Sequence, residues 1–244
     1  MYPTLDLFGL NIQLFGLCLG VAFLVAGWMV ARRLDELGRP VDLAYEMVFA
    51  ALIGGIVGAK LWFLAENGGP LFSGTGLTFY GGLIGGALAV MAWTSYRGAL
   101  DLKLADAVVP SLAAAYAIGR IGCQFAGDGD YGKDWDGPWA MAYPDGTVPI
   151  DTPVHPTPIY ETLAMGGFAL LLWRWRDRWQ PGTLTAIYLI GTGLERLLIE
   201  FIRRNDAVAL GLTQAQWVSL AMMAAGTIWL LVRRPVAAPA ARAA

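Results

Sequence analysis

Seven apolar stretches constrain this chain more than any other feature of its sequence. They run at about 9–31, 45–65, 78–96, 104–126, 157–173, 183–203 and 212–232. A helix needs about 20 mostly apolar residues to cross a bilayer. A chain of 244 residues that is 57% hydrophobic and 15% charged is also too apolar for a soluble domain. The sequence therefore predicts an all-α polytopic membrane protein with seven transmembrane helices.

The basic residues predict how these helices are oriented. Eleven of the 17 lysines and arginines follow the first, third, fifth and seventh stretches, and the positive-inside rule assigns such loops to the cytoplasm. The N-terminus is then outside and the C-terminus inside, as an odd number of spans requires. We expect a single transmembrane domain over 1–234, with an outer-face loop region at about 127–156, and a disordered tail at 235–244.

Three cations, Lys60, Arg120 and Arg196, fall inside apolar stretches, and this topology puts them at a similar depth toward the outer face. A charge in the hydrocarbon layer costs at least ~2.5–3.5 kcal/mol, so it persists where it has a partner or a task. Snorkelling to the interface is an alternative for Lys60, and it is the favoured interpretation for Arg204. Converging cations predict a site for an anion.

The sixth stretch carries a polar face. Thr192, Arg196, Glu200 and Arg203 recur at i, i+4, i+8 and i+11, so they lie on one side of a helix. A ladder of structural ion pairs would explain Glu200 with either arginine. It would leave a surplus of positive charge, which a bound anion would balance.

The segment between the fourth and fifth stretches is rich in glycine and acidic residues, and Asp128 is the acidic residue of most interest there. A calcium loop is disfavoured, because Trp139 stands where the twelfth-position acid of such a loop belongs. The only histidine, His155, is a candidate base or a structural hydrogen-bonder. Cys18 and Cys123 form no CxxC motif, and we expect no disulfide, metal or organic cofactor.

Four motifs together resemble one known family. They are GRIGCQFAGDGDYG from position 119, PWAMAYPDG followed by HPTPIYE ending at Glu161, GTGLERLLIEFIRRND from 191, and FYGGLIGG from 79. The order of spans and these motifs resemble prolipoprotein diacylglyceryl transferase, a seven-span enzyme of the bacterial inner membrane. In that resemblance FYGGLIGG corresponds to a turn. The sequence departs from the family pattern at Tyr80, Cys123 and Thr192, and Lys60 stands where arginine is common.

The resemblance implies a reaction. A diacylglyceryl group would pass from phosphatidylglycerol to the lipobox cysteine thiol of a prolipoprotein, with glycerol-1-phosphate released near the outer leaflet. Arg120 and Arg196 would clamp the phosphate, Glu200 would orient Arg196, and Glu161, Asp128 or His155 would orient or deprotonate the acceptor. The expected substrate-binding residues are Lys60, Tyr80, Gly81, Gly82, Cys123, Thr192 and Arg203.

Two other functions are alternatives to this reaction. One is a paralogous lipid transferase that uses an anionic phospholipid with a different acceptor, which would fit the departures from the pattern. The other is a non-catalytic lipid-binding or transport protein. Transport is disfavoured because the inner halves of the stretches carry little polarity, whereas a permeation path needs polar groups at successive depths.

Overall fold

A computed structural model describes residues 3–7, 9–68, 70 and 78–233 of the chain. Over these residues it contains seven helices and two short antiparallel hairpins. The helices are α1 (Leu14–Glu36), α2 (Asp42–Asn67), α3 (Phe79–Tyr96), α4 (Leu102–Ala126), α5 (Thr157–Trp175), α6 (Thr183–Glu200) and α7 (Gln214–Arg233). The strands are β1 (Thr4–Leu7), β2 (Leu10–Gln13), β3 (Met141–Tyr143) and β4 (Ile150–Val154).

Each predicted apolar stretch contains a helix, and four helices, α1, α2, α4 and α7, are long and apolar enough to cross a membrane. α6 carries Glu195, Arg196 and Glu200 within its 18 residues, which lowers its apolar character. The predicted tail at 235–244, together with Arg234 and Arg242, lies outside the described residues.

Helix boundaries differ from the prediction by a few residues, and the first and sixth stretches illustrate this. The first stretch was expected to be helical from about residue 9, but Leu10–Gln13 is strand β2 and pairs with β1. The turn is stabilised by Asp6, whose Oδ1 accepts the N–H of Gly9 at 3.0 Å, and Gly9 has a positive φ of 82°. The sixth stretch was expected to reach 203, whereas α6 ends at Glu200.

The chain forms two compact units. The first consists of Met1–Ala26 with Asp106–Ala244, and the second of Gly27–Ala105. In the second unit, α2 packs on α3 through glycines: a Cβ at Gly58 would lie 2.3 Å from the carbonyl oxygen of Gly81. The FYGGLIGG segment, expected to be a turn, is the start of helix α3, and its glycines allow this close approach.

In the first unit, α4, α5 and α6 pack around an apolar core that includes Ala113, Met165 and Leu172. Asp106 on α4 accepts hydrogen bonds from the N–H of Gly182 at 2.7 Å and of Thr185 at 2.8 Å. These bonds fix the beginning of α6 beside the beginning of α4. The two helices therefore run in the same direction, and their C-terminal ends lie close together.

The predicted loop region at 127–156 is ordered and packs on the C-terminal ends of these helices. Its β3–β4 hairpin buries Tyr143 completely, and the Tyr143 ring stacks on Tyr131 at a centroid distance of 5.0 Å. The backbone N–H of Thr147 donates to the carbonyl of Ala126, the last residue of α4, at 2.8 Å. The region thus forms a fixed cover over the ends of α4 and α6.

Candidate active site

Glu161 occupies the centre of a buried polar cluster in the first unit. Its side chain has no solvent exposure, and Tyr116 donates a hydrogen bond to its Oε1 at 2.6 Å. The same oxygen lies 3.3 Å from Nε of Arg120 and 3.3 Å from Nη1 of Arg196. Oε2 lies 3.5 Å from Nη1 of Arg203. One carboxylate therefore positions three guanidinium groups.

The helix directions explain this convergence. Arg120 lies near the C-terminal end of α4 and Arg196 near that of α6, while Glu161 lies in the first turns of α5, which begins at Thr157. α5 begins beside the C-terminal ends of α4 and α6 and runs in the direction opposite to both helices. Arg203 follows α6 in an extended segment that forms a β-bridge with Gly132 of the covering loop.

A second carboxylate, Asp130, comes from the covering loop and binds both Arg120 and Arg203 in ion pairs. Burial acts to raise the pKa of Asp130, but the positive charges of Arg120 and Arg203 outweigh it and hold the pKa below the usual aspartate range. The hydroxyl of Thr157 donates to the Asp130 carbonyl and anchors the loop on the start of α5.

The third carboxylate is Glu200. Its Oε2 lies 2.8 Å from Nη2 of Arg196, as expected for a residue that orients this arginine, and its Oε1 accepts from Nδ2 of Asn205 at 2.7 Å. Three guanidiniums are thus matched by Asp130, Glu161 and Glu200. The predicted surplus of positive charge is wrong, because Asp130 supplies a carboxylate that the helix pattern alone did not place here.

Asp128 differs from these carboxylates because, within the described residues, the structure shows no ion pair that includes it. The backbone N–H of Asp130 donates to its Oδ1 at 3.3 Å. Burial, followed by repulsion from Asp130, raises the pKa of Asp128, while the Cys123 side chain acts as a hydrogen-bond partner. A carboxylate with a raised pKa is a better proton acceptor near neutral pH.

Ligand atoms of Cys123, Asp128 and Asp130 lie within 4.8 Å of one another, a spacing that could hold a metal ion. However, Nη1 of Arg120 lies 3.8 Å from the Cys123 sulfur and also pairs with Asp130. A guanidinium thus already supplies the positive charge at this position, so the arrangement favours an arginine-held anion site over a metal centre.

His155 takes part in a different set of contacts from the cluster. Its ring stacks on Trp135 at a centroid distance of 4.4 Å, and its Nδ1 lies 3.3 Å from the hydroxyl of Tyr160. Tyr160 also accepts from Nε1 of Trp139 at 2.8 Å. Burial lowers the pKa of His155. These contacts support the structural role for this histidine over the role of base.

Arg204, for which snorkelling was the favoured interpretation, instead binds the covering loop. Its guanidinium pairs with Asp134, and its Nε donates to the carbonyl oxygen of Gly132 at 2.9 Å. The arginine therefore holds the loop against the end of α6 rather than reaching alone toward water.

The remaining predicted residues are described within the unit to which each belongs. Lys60, Tyr80, Gly81 and Gly82 belong to the second unit, where Lys60 is 9% exposed with its Nζ 5.5 Å from the ring centroid of Phe63. This burial does not fit snorkelling. Thr192 is half-buried on α6, one turn before Arg196.

Three residues of the cluster were not predicted as site residues: Tyr116, Asp130 and Glu195. Tyr116 lies one turn before Arg120 on α4, a spacing that could have indicated it. Asp130 was one of several acidic residues in a loop. Glu195 was visible as a carboxylate inside an apolar stretch, but it lies off the face that contains Arg196 and Glu200.

The buried cluster lies in a part of the chain that matches a known protein family. The model of one protein family, described as prolipoprotein diacylglyceryl transferase, matches residues 3–232. This range includes every member of the buried cluster and all seven helices apart from the last residue of α7.

Individual relatives match along most of their length. The chain is 29% identical over 263 aligned positions to a protein of Erythrobacter litoralis, covering 97% of this chain and 92% of the relative. It is 32% identical to one of Clostridium tetani (90% and 93% covered) and 33% identical to one of Methylibium petroleiphilum (95% and 96% covered). All three are named phosphatidylglycerol–prolipoprotein diacylglyceryl transferase.

Proposed function

The chain belongs to the prolipoprotein diacylglyceryl transferase family, and we propose that it transfers a diacylglyceryl group from phosphatidylglycerol to the lipobox cysteine thiol of prolipoproteins, releasing glycerol-1-phosphate. The predictions of the family and of a transferase are confirmed. Neither a different acceptor nor a transport role is favoured, because the names of the relatives contain both substrates, phosphatidylglycerol and prolipoprotein.

The observation that carries the proposal is the set of three guanidiniums around Glu161. Arginine binds phosphate oxygens through parallel hydrogen bonds, and fixed positive charge stabilises the negative charge that develops on a leaving phosphate. Of the three matching carboxylates, Asp130 alone comes from a loop, and its side chain is 30% exposed. The expected clamp was Arg120 with Arg196, but Arg196 pairs with Glu161 and Glu200. The lipid phosphate would instead replace Asp130 on Arg120 and Arg203, so that the charges of the cluster remain balanced.

The transfer also requires removal of the thiol proton. A thiol with a pKa of about 8.5 is only a few per cent ionised at neutral pH. We assign this step to Asp128, whose pKa is raised by burial and whose oxygens are not used in an ion pair that the structure shows. The thiol proton passes to the Asp128 carboxylate, the sulfur–carbon bond forms as the carbon–oxygen bond breaks, and the phosphate departs with the electron pair.

The site is expected at the outer leaflet of the bacterial inner membrane. This location follows from the proposed seven spans with the N-terminus outside, which place the C-terminal ends of α4 and α6 on the outer side. The position of the cluster supports it, because Arg120, Arg196 and the start of α5 all lie at that end of the helices. A domain of seven spans over 1–234 would have its covering loop, 127–156, exposed to the outside.

The test is to incubate the purified protein with phosphatidylglycerol and a lipobox peptide and to analyse both products by mass spectrometry. We expect the mass of a diacylglyceryl group on the peptide cysteine and an equal amount of glycerol phosphate. A peptide with serine in place of cysteine should stay unmodified. Glycerol phosphate without modified peptide would show a different acceptor, and no turnover by folded protein would refute the proposal.

A further inference from the structure

A carboxyl group on α6, that of Glu195, has no hydrogen-bond partner among the residues that the structure describes. Both of its oxygens are buried. Charged and titratable groups on three helices interact with it electrostatically: Tyr116 and Arg120 on α4, Glu161 on α5, and Arg196 and Arg203 on α6 and just beyond it. Native proteins leave few buried polar atoms unpaired, so this one calls for a physical explanation.

The charge balance of the cluster decides the state of this group. The guanidiniums of Arg120, Arg196 and Arg203 are already matched by Asp130, Glu161 and Glu200. An ionised Glu195 would add a fourth negative charge with neither a cation of its own nor a hydrogen bond. Burying such an ion without a partner is strongly unfavourable, so a group in this position binds a proton instead.

A neutral carboxyl group is a hydrogen-bond donor. In the protein without substrate, the O–H of Glu195 has no acceptor, and a phosphate held by the neighbouring arginines would provide one. An ionised Glu195 would have the opposite effect and repel the phosphate. Carboxylic acids kept neutral by their surroundings do serve as hydrogen-bond donors in active sites.

We propose that Glu195 is a neutral carboxylic acid in the resting protein and that its O–H donates a hydrogen bond to the phosphate of the anionic lipid. This inference rests on the proposed function and adds Glu195 to the lipid-binding residues of that site. The assignment also explains why a carboxyl group is tolerated beside Glu161: it contributes no charge.

Two substitutions separate a donor from a base. In Glu195→Gln the amide still donates a hydrogen bond, so we expect a KM for phosphatidylglycerol within about threefold of wild type. Glu195→Ala removes the donor, and KM should rise about tenfold to a hundredfold. Equal loss of activity in both variants would overturn the proposal, because a base fails in either one. Glu66→Gln, which changes an exposed carboxylate on α2, is the control.

The pH dependence gives a second readout. As the pH rises, Glu195 loses its proton in wild type, whereas the glutamine cannot ionise. The ratio of the wild-type KM for phosphatidylglycerol to that of Glu195→Gln should therefore increase with pH, since the other titrating groups act in both proteins. A ratio near 1 at every pH would mean that Glu195 keeps its proton throughout, whereas a constant ratio well above 1 would indicate an ionised Glu195 and contradict the proposal.

Infrared spectroscopy tests the protonation state without turnover. The difference spectrum of wild type minus Glu195→Gln, recorded in detergent without substrate at neutral pH, should show the carbonyl band of a protonated carboxyl group. Carboxylate bands in its place would overturn the inference. Because this measurement needs no substrate, it separates a failure of the Glu195 assignment from a failure of the proposed transferase reaction.

Discussion

The α2–α3 pair of the second unit and the α4–α5–α6 cluster of the first hold their helices together in different ways. The pair brings two backbones into contact at glycines, so that even a methyl group at Gly58 would meet the Gly81 carbonyl and, at 2.7 Å, the Gly85 Cα. The cluster joins its helices through carboxylates and guanidiniums around Glu161. In lipid, apolar burial does not drive helix pairing, so close packing and polar contacts do.

The difference separates stability from chemistry. A close backbone contact between two helices has one geometry and contains no charged group that could change partners to bind a substrate. A substitution there should therefore affect folding. An ion-pair cluster stabilises its helices, yet each guanidinium can change partners. In the cluster, substitutions that preserve charge but change geometry should therefore lower turnover with little effect on folding. In the α2–α3 pair, substitutions of the contact glycines should lower stability with little effect on turnover.

The largest effect is expected from Arg120→Lys. The lysine keeps the positive charge that Asp130 and Glu161 require, but it lacks the planar fork that binds two phosphate oxygens. We expect kcat/KM to fall at least about a hundredfold, while the thermal unfolding midpoint in detergent changes little. Arg204→Lys, the same exchange outside the cluster, should leave turnover unchanged. Wild-type turnover by Arg120→Lys would show that the fork is not needed.

A loss of comparable size is expected from Asp128→Asn, which removes the proposed base. General bases contribute about a hundredfold or more to a rate. Because burial and then Asp130 raise the pKa of Asp128, the activity of wild type should fall on acidification at a pH above the usual aspartate value. Asp128→Asn should lose this acid limb together with most of its kcat. The pH–rate profiles of both proteins measure this.

The same exchange at Asp134, which pairs with Arg204 at the exposed side of the loop, serves as the control. Asp134→Asn should keep the acid limb of the profile at its wild-type position. If Asp128→Asn also keeps that limb, the base is another group, and Asp128 has a structural role in the covering loop.

In the α2–α3 pair, Gly58→Ala should act on stability alone. Overpacking of this kind costs about 1–3 kcal/mol, and the unfolding midpoint should fall, while protein that remains folded keeps its kcat. Gly55→Ala is the matched control, one turn away on the same helix, because a Cβ there would lie 3.6 Å from the Gly82 oxygen, an ordinary contact. Equal destabilisation by both would show that backbone contact does not hold the pair together.

The two regions were also unequally predictable from the sequence. Length and apolar character predicted the helices well, since a span has few other ways to satisfy its backbone. The β1–β2 hairpin was missed because its turn contacts, from Asp6 to Gly9, act over three residues within an apolar run. FYGGLIGG was expected to be a turn because it resembles a turn motif of the family, but here it begins α3 and its glycines serve helix packing.

For the candidate site, charge inside apolar stretches singled out Arg120 and Arg196, helical spacing put Glu200 beside Arg196, and the family resemblance supplied Glu161. The structure brings these four residues together. Helical periodicity relates residues within one helix, so it could not show that the loop residue Asp130 joins them. His155 was placed among the bases by its chemistry, whereas its contacts are set by Trp135 and Tyr160, which only the folded loop brings together.

The smallest effect is expected from an exposed ion pair in the second unit, where Arg39 precedes α2 and Asp101 follows α3. Asp101 pairs with Nη2 of Arg39 at 2.5 Å, and its Oδ1 accepts the N–H of Leu104 at 2.8 Å. Asp101→Asn keeps an acceptor for the N–H but loses the ion pair. Exposed pairs contribute roughly 0.2–1 kcal/mol, so the free energy of unfolding should fall by no more than this, and turnover should not change.

The pH dependence identifies the cause of that small change. The hydrogen bond from Arg39 lowers the pKa of Asp101 in the folded state. A lowered folded-state pKa gives stability that is present above the unfolded value, about 3.9, and is lost as the pH falls through the folded value. The difference between wild type and Asp101→Asn should therefore vanish in acid. A difference in stability that persists in acid would arise from the hydrogen bond between the Leu104 N–H and Asp101. The contrast between exposed and buried ion pairs in this protein would then lose its support.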